Sequence, residues 1–385
     1  MKKLLILCAA ILIILGLPVL AFAETVTGDK TESIDLSQIQ DYLTRVDSEM
    51  APYIPDLRPA QLLENLKQGK LSISVQSIFT GILKLFSKEL MANLHLLGQL
   101  LILGVIAAVL ENITGSFESG TVGKAAQAVV FMVIITLAIG SLTIAANLSR
   151  TVVEDMVNFM QAILPVLLTL LAAMGGLASA AIFHPAMVLV LGLTGTVVRN
   201  VIIPLIFLSA ILGFVNNISD KFKVSRLAGL FRQASITLMM LMLTLFTGVI
   251  AVEGVAGSVA DGVALRTAKF ATDNFVPVVG GMFSDALDAV VGGSLLLKNG
   301  VGIAGVVVIF WLCALPALKI VALVAVYKLS AALMQPIGAK AVADCLEHME
   351  KSLAVFFAAV AIVGLMFFFT ITIVVGAGNA ATMLR

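Results

Sequence analysis

Charge is what this chain has least of. Only 12% of its 385 residues are Asp, Glu, Lys or Arg, about half the share in an ordinary soluble domain. With 60% hydrophobic residues and a mean hydropathy of +1.09, one water-facing core cannot hide the apolar side chains, whereas a bilayer can. The net charge of +1 gives no electrostatic basis for a nucleic-acid partner. The three cysteines, Cys8, Cys313 and Cys345, form no CxxC motif and no disulfide framework. His95, His184 and His348 stand apart, without the spacing of a zinc site. The phosphate loop GxxxxGK[ST], the GxSxG elbow and the HExxH helix are all missing. Neither an enzyme, a cofactor nor a metal is expected, and the chain cannot drive transport with its own ATP site.

What is present begins with a Sec-type signal. Lys2 and Lys3 precede the apolar stretch Leu4 to Leu17, and Ala21-Phe22-Ala23 supplies the small residues of a cleavage site after Ala23. Residues 24–90 are then expected to form a small helical region outside the cytoplasm. Leu36, Ile39, Leu43 and Val46 recur at helical spacing, Pro52, Pro55 and Pro59 break the chain, and Ile78, Ile82 and Leu85 with Lys84 and Lys88 predict a helix leading into the membrane.

Residues 91–385 read as an all-α, multi-span membrane domain. The runs 92–110, 125–146, 162–183, 234–256 and 353–376 are long enough to cross a ~30 Å hydrocarbon layer. Residues 186–215 are interrupted by Arg199, Asn200 and Pro204 and predict two short halves or a re-entrant hairpin; 300–334 repeats that character around Pro316 and Lys319. Two units, 158–256 and 270–376, suggest a parallel internal repeat. Pro165-Val166, Gly175-Gly176, Pro204 and Ser235 in the first answer to Pro277-Val278, Gly292-Gly293, Pro316 and Ser352 in the second, at offsets alternating between 112 and 117 residues.

Charged groups at membrane depth are costly and mark pathways or contacts. Arg199, Lys319, Asp285 and Asp288 are therefore candidates for a transport pathway. The alternatives stay open: Arg199 at a hairpin tip snorkels to the interface, and Asp285 and Asp288 lie solvated on a surface segment. Gly175, Gly176, Gly292 and Gly293 offer either close helix packing or a hinge. Lys221, Lys223, Arg226 and Arg232 form a basic segment with Val224, Leu227, Leu230 and Phe231, as in an amphipathic helix at the cytoplasmic interface.

The strings GGLASAAIFHP (175–185), DGVALRTAKF (261–270), NFVPVVGGMFSDALDAV (274–290), SLLLKNGVG (294–302) and VALVAVYKLSAALMQPIG (321–338) resemble the stage III sporulation protein AE family of endospore-forming bacteria. The resemblance runs from about residue 90 to the C-terminus and is looser over 24–90. It implies a subunit of a channel complex in the mother-cell membrane around the forespore, needed for forespore development and late forespore gene expression. It also implies ring-forming and membrane partners, a secretion-type ATPase supplied by another chain, and an N-terminal region outside the cytoplasm. The family offers no catalytic or ligand residues to carry over. A self-sufficient secondary transporter and a non-conducting scaffold are the alternatives.

If each repeat unit crosses four times, 216–233 and 335–352 are cytoplasmic and the C-terminus lies outside. Reporter fusions at 225 and 385 are expected to report opposite compartments; the same compartment for both refutes this topology.

Overall fold

The computed structural model describes residues 36–54, 58, 75–116, 121–218, 224–275 and 280–383. The expected signal peptide at 1–23, the helix expected after Pro59, and Lys221 and Lys223 lie outside the described residues. The described residues from Leu36 onward pack as one unit.

Every described element is helical. In chain order they are α1 (Leu36–Met50), α2 (Val75–Ala92), α3 (Leu94–Ser116), α4 (Thr121–Ala173), α5 (Leu177–Val197), a π-helical turn (Val198–Ile202), α6 (Ile203–Ile218), α7 (Ser225–Phe275), α8 (Gly280–Ile337) and α9 (Lys340–Met383). Among the described residues, five stretches are long and apolar enough to cross a membrane: Ala128–Ala173, Leu177–Phe214, Ser225–Val263, Leu297–Ile337 and Lys340–Ala377. Gln76–Ala92 and Leu94–Leu110, bent by 46° at Asn93, add a sixth if they count together. At 1.5 Å per residue the 58 residues of α8 extend about 87 Å, nearly three times the hydrocarbon thickness.

Two antiparallel hairpins form the body. In the first, α5–α6 returns along α7: Ser179 lies against Gly257, and the Ser209 hydroxyl donates to the Ala228 carbonyl at 2.7 Å. In the second, α8 returns along α9: Val375 lies against Gly302, and Cys313 against Gly364. The turns of both hairpins lie at the same end, where a Cβ on Gly213 would collide with His348. Helices α7 and α9 consequently run parallel, with Phe246 meeting Phe367 and Gly254 meeting Ile373. Helix α4 packs on both hairpins; Tyr327 of α8 reaches across to donate to Ser141 of α4 at 2.8 Å. The amphipathic pattern of α1 is realised, with Ile39, Val46 and Met50 buried and Tyr42 packed edge-on to Phe159 of α4. Helix α2 packs along α8.

Two expected breaks are absent, and one break falls inside an expected span. Residues 147–161, expected as a loop, are helical, so 125–146 continues without interruption to Ala173. The run 162–183 is divided by a reversal at Met174–Gly176. Gly175 has φ +93°; its N–H bonds to the Ala172 carbonyl at 3.0 Å and that of Gly176 to Leu171 at 3.0 Å. This pair of bonds, with glycine in the left-handed conformation, closes the C-terminus of α4. The Gly175-Gly176 pair is therefore a helix stop rather than a packing stripe within a span.

The interruption expected at Arg199, Asn200 and Pro204 is not a hairpin. Pro204 cannot donate to the carbonyl four residues back, and the helix answers by widening: the Ile203 N–H bonds five residues back to Val198, and α6 continues the direction of α5. Pro165, Pro185 and Pro316 likewise sit inside continuous helices, as is usual where neighbouring helices re-satisfy freed backbone groups.

The turn yields a direct test. Gly175→Ala forces a Cβ into a left-handed backbone and is expected to cost about 1–2 kcal/mol. Gly140→Ala, on an open face inside α4, is expected to be neutral or slightly stabilising. Thermal unfolding of the full chain in detergent checks both; equal midpoints would contradict the turn.

Candidate functional site

Among the described residues, three groupings of charge lie along the long helices. The first is a belt midway along α4. Arg199, carried on the π-helical turn, pairs with Glu154 of α4 at 3.1 Å, the two side chains being 49% and 51% exposed. Arg45 of α1 reaches Glu49 at 3.3 Å and Asp155 of α4 at 3.8 Å. Between α1 and α4 lies an open cavity of about 570 Å³ bordered by Asp41, Tyr42, Arg45, Asn158 and Gln161. Burial, and then the neighbouring Asp155 carboxylate, holds the Tyr42 phenol above its usual pKa. Lys319 is exposed on α8. Arg199 finds its partner in Glu154, which the sequence had placed in a loop. A half-exposed pair of this kind is worth about 0–1 kcal/mol, so it orients α4 and α5 more than it stabilises them.

The second place is the hairpin-turn end. A cavity of about 280 Å³ opens between α6, α7 and α9. Ser209, Gly213, Arg232 and His348 line it, and Asp344, Glu347 and Lys351, all exposed, stand around it. Lys351 pairs with Glu347 one helical turn away. Arg232 Nη2 is buried without a hydrogen-bond partner, and His348 Nε2 makes no well-formed one, with the Ser209 and Ala210 carbonyls beside the ring. Of the expected basic segment, Arg226 is exposed on α7 and Arg232 turns inward.

The third place is the opposite end of the bundle. Asp261 of α7 is 1% exposed. Its carboxylate accepts from the backbone N–H groups of Ala178 at 2.8 Å and of Ser179 at 3.2 Å. These are orphan donors of the first turn of α5, whose N-cap, Gly176, has no side chain to offer. Asp261 thus caps a helix 83 residues away and complements its positive end. Lys298 of α8, fully buried, donates to the Val375 carbonyl of α9 at 2.9 Å.

Asp285 and Asp288, with Gly292 and Gly293, belong to the backbone of α8, and their side chains lie outside the described residues. Sequence reasoning passed over Glu154, Asp261, Lys298 and His348. Asp261 and Lys298 carried a usable signal, since each is a charge beside a long apolar run. Glu154 and His348 carried none until the fold supplied their neighbours. Among the described residues, no three His, Cys, Asp or Glu side chains gather to hold a metal ion.

Long apolar helices packed as hairpins, with charges paired, buried against backbone or held at the ends, are the architecture of a polytopic helical membrane protein. The family described as Stage III sporulation protein AE matches residues 57–378, and the chain belongs to it. Stage III sporulation protein AE of Bacillus subtilis (strain 168) is 40% identical over 363 residues, covering 94% of this chain and 91% of that protein. The match begins at residue 57, upstream of the point near residue 90 where the sequence resemblance was read. No solved structure matches the chain.

Asp261→Ala removes the acceptor from the N–H groups of Ala178 and buried Ser179 and is expected to destabilise the chain by about 2 kcal/mol. Asp261→Asn, which keeps one acceptor oxygen, is expected to lose less. Thermal unfolding in detergent measures both, and an Ala variant as stable as the parent would remove the cap from the account.

Proposed function

We propose that this chain is a membrane subunit of a sporulation-specific secretion or feeding channel between mother cell and forespore, needed for forespore development and late forespore gene expression. Membership of the Stage III sporulation protein AE family over most of the chain carries this reading. The five membrane-length helices support it. The chain resides in the mother-cell membrane around the forespore. Its signal peptide is cleaved after Ala23, and the region that follows lies outside the cytoplasm. It assembles with other membrane and ring-forming subunits, and a separate chain supplies the ATPase. The two co-oriented hairpins, with Phe246 against Phe367 and Gly254 against Ile373 at offsets near the sequence repeat, support a parallel internal duplication.

Within that assembly, Arg199 and Glu154 face outward midway along membrane-length helices, where a pathway or a partner would meet them. Arg199→Glu is expected to leave the protein folded and membrane-borne, because the pair it breaks contributes only about 0–1 kcal/mol. It is expected to lower the heat-resistant spore count of a strain depending on it, with Arg199→Glu plus Glu154→Arg restoring part of the count. Intact assembly with failed transfer favours a conduit over a scaffold. Normal sporulation in the single variant removes this pair from the function, and solute flux by the purified chain alone in liposomes favours a secondary transporter.

A further inference from the structure

The cavity at the hairpin-turn end has a charge arrangement that its structural neighbours leave unused. Its interior holds Arg232 Nη2, buried without a partner, and His348 Nε2, which makes no well-formed hydrogen bond although the Ser209 and Ala210 carbonyls lie beside the ring. A buried donor left unpaired costs about 1–3 kcal/mol, more for a charged group, so the pair is tolerated where something else comes to meet it. Arg232 is a fixed cation, and His348 Nε2 donates whenever it carries the ring proton. Glu350 acts on Arg232 through space without reaching ion-pair distance. The His348 ring is held edge-on to Phe214 at 5.9 Å, over a glycine at 213 that leaves it room. The opening turn of α7, with Ser225, Ala228 and Gly229 on the cavity wall, turns the positive end of that helix toward the same space.

The exposed carboxylates reverse the sign. Asp344 is exposed and forms no ion pair among the described residues, and Glu347 shares Lys351. A simple anion would be drawn by the interior and repelled at the mouth. A zwitterion satisfies both. The volume, about 280 Å³, is many times the ~10–15 Å³ that one water needs by the same measure, enough for a headgroup rather than a lone ion. The level also fits. The polar opening segments of α7 and α9 give way at Ser235 and Ser352 to uninterrupted apolar runs, so the cavity stands at the margin of the apolar band, where lipid headgroups lie.

We propose that this cavity binds a zwitterionic phosphoester of the phosphoethanolamine type. The phosphate oxygens accept from Arg232 Nη2 and His348 Nε2, and the ammonium group faces Asp344 and Glu347. A phosphatidylethanolamine headgroup and a soluble phosphoester share this chemistry.

Native mass spectrometry of the full chain in detergent tests it, with phosphatidylethanolamine, phosphatidylcholine and phosphatidylglycerol added at equal concentration. Preferential retention of phosphatidylethanolamine is expected. Arg232→Gln is expected to weaken that retention about tenfold or more, the share of a charge-assisted bond. Asp344→Asn with Glu347→Gln is expected to abolish the preference over phosphatidylglycerol while lipid binding persists. Should Arg232→Gln fail to fold by thermal unfolding, His348→Gln and the double carboxylate variant carry the test. Displacement by soluble phosphoethanolamine at comparable concentration supports the site and makes a soluble phosphoester its ligand. Retention indifferent to headgroup, or unchanged in the folded variants, overturns the proposal, as does equal displacement by inorganic phosphate.

Discussion

Hydrocarbon offers a backbone N–H or C=O nothing to bond to, and the rest of this structure depends on that constraint. Every peptide group at membrane depth must find its partner within the protein, so the chain runs in helices of up to 58 residues and resists interruption. Where interruption is forced, it is repaired locally. Pro204 withholds a donor, and a single π-helical turn closes the ladder over five residues instead of four. Gly175 and Gly176 stop α4 and fold two N–H groups back onto its last turn. The next helix begins without a capping side chain of its own, and Asp261 arrives from α7 to provide one. A carboxylate that would be costly if buried alone is stabilised by the N–H groups it completes.

The same constraint sorts the charges. Lys298 is buried but spends its ammonium on the Val375 carbonyl, while Arg199 and Glu154 remain half-exposed and pair across two helices. Helices of up to 58 residues, far longer than the hydrocarbon layer is thick, cannot lie wholly in lipid along the membrane normal, and the charged belt midway along α4 divides apolar runs on either side of it.

The amphipathic α1 was legible from Ile39, Leu43 and Val46, because burial on one face leaves a periodic trace that needs no knowledge of the partner. The apolar runs were legible for a simpler reason: membrane length and lack of charge are counted directly. The breaks were not. Arg199, Asn200 and Pro204 together read as two short halves or a re-entrant hairpin, yet proline and an arginine with a near partner are both accommodated by a bundle. Gly175-Gly176 read as a packing face, since a glycine that permits close approach and one that permits positive φ look alike in sequence. Residues 147–161 fell between two expected spans; they are helical, and Glu154 and Asp155 have arginines opposite them.

By itself, the sequence determined that this is an all-helical chain with membrane-length runs, and its motifs determined the family. Those properties are sums and patterns over neighbouring residues, so the linear order contains them. Only the tertiary structure decided where the long helices turn, that Asp261 caps α5, and that Arg232 and His348 share a cavity with Asp344 and Glu347 at its mouth. These depend on groups tens to more than a hundred residues apart meeting in space. The energy of each contact belongs to the pair, and neither residue carries a mark of it alone.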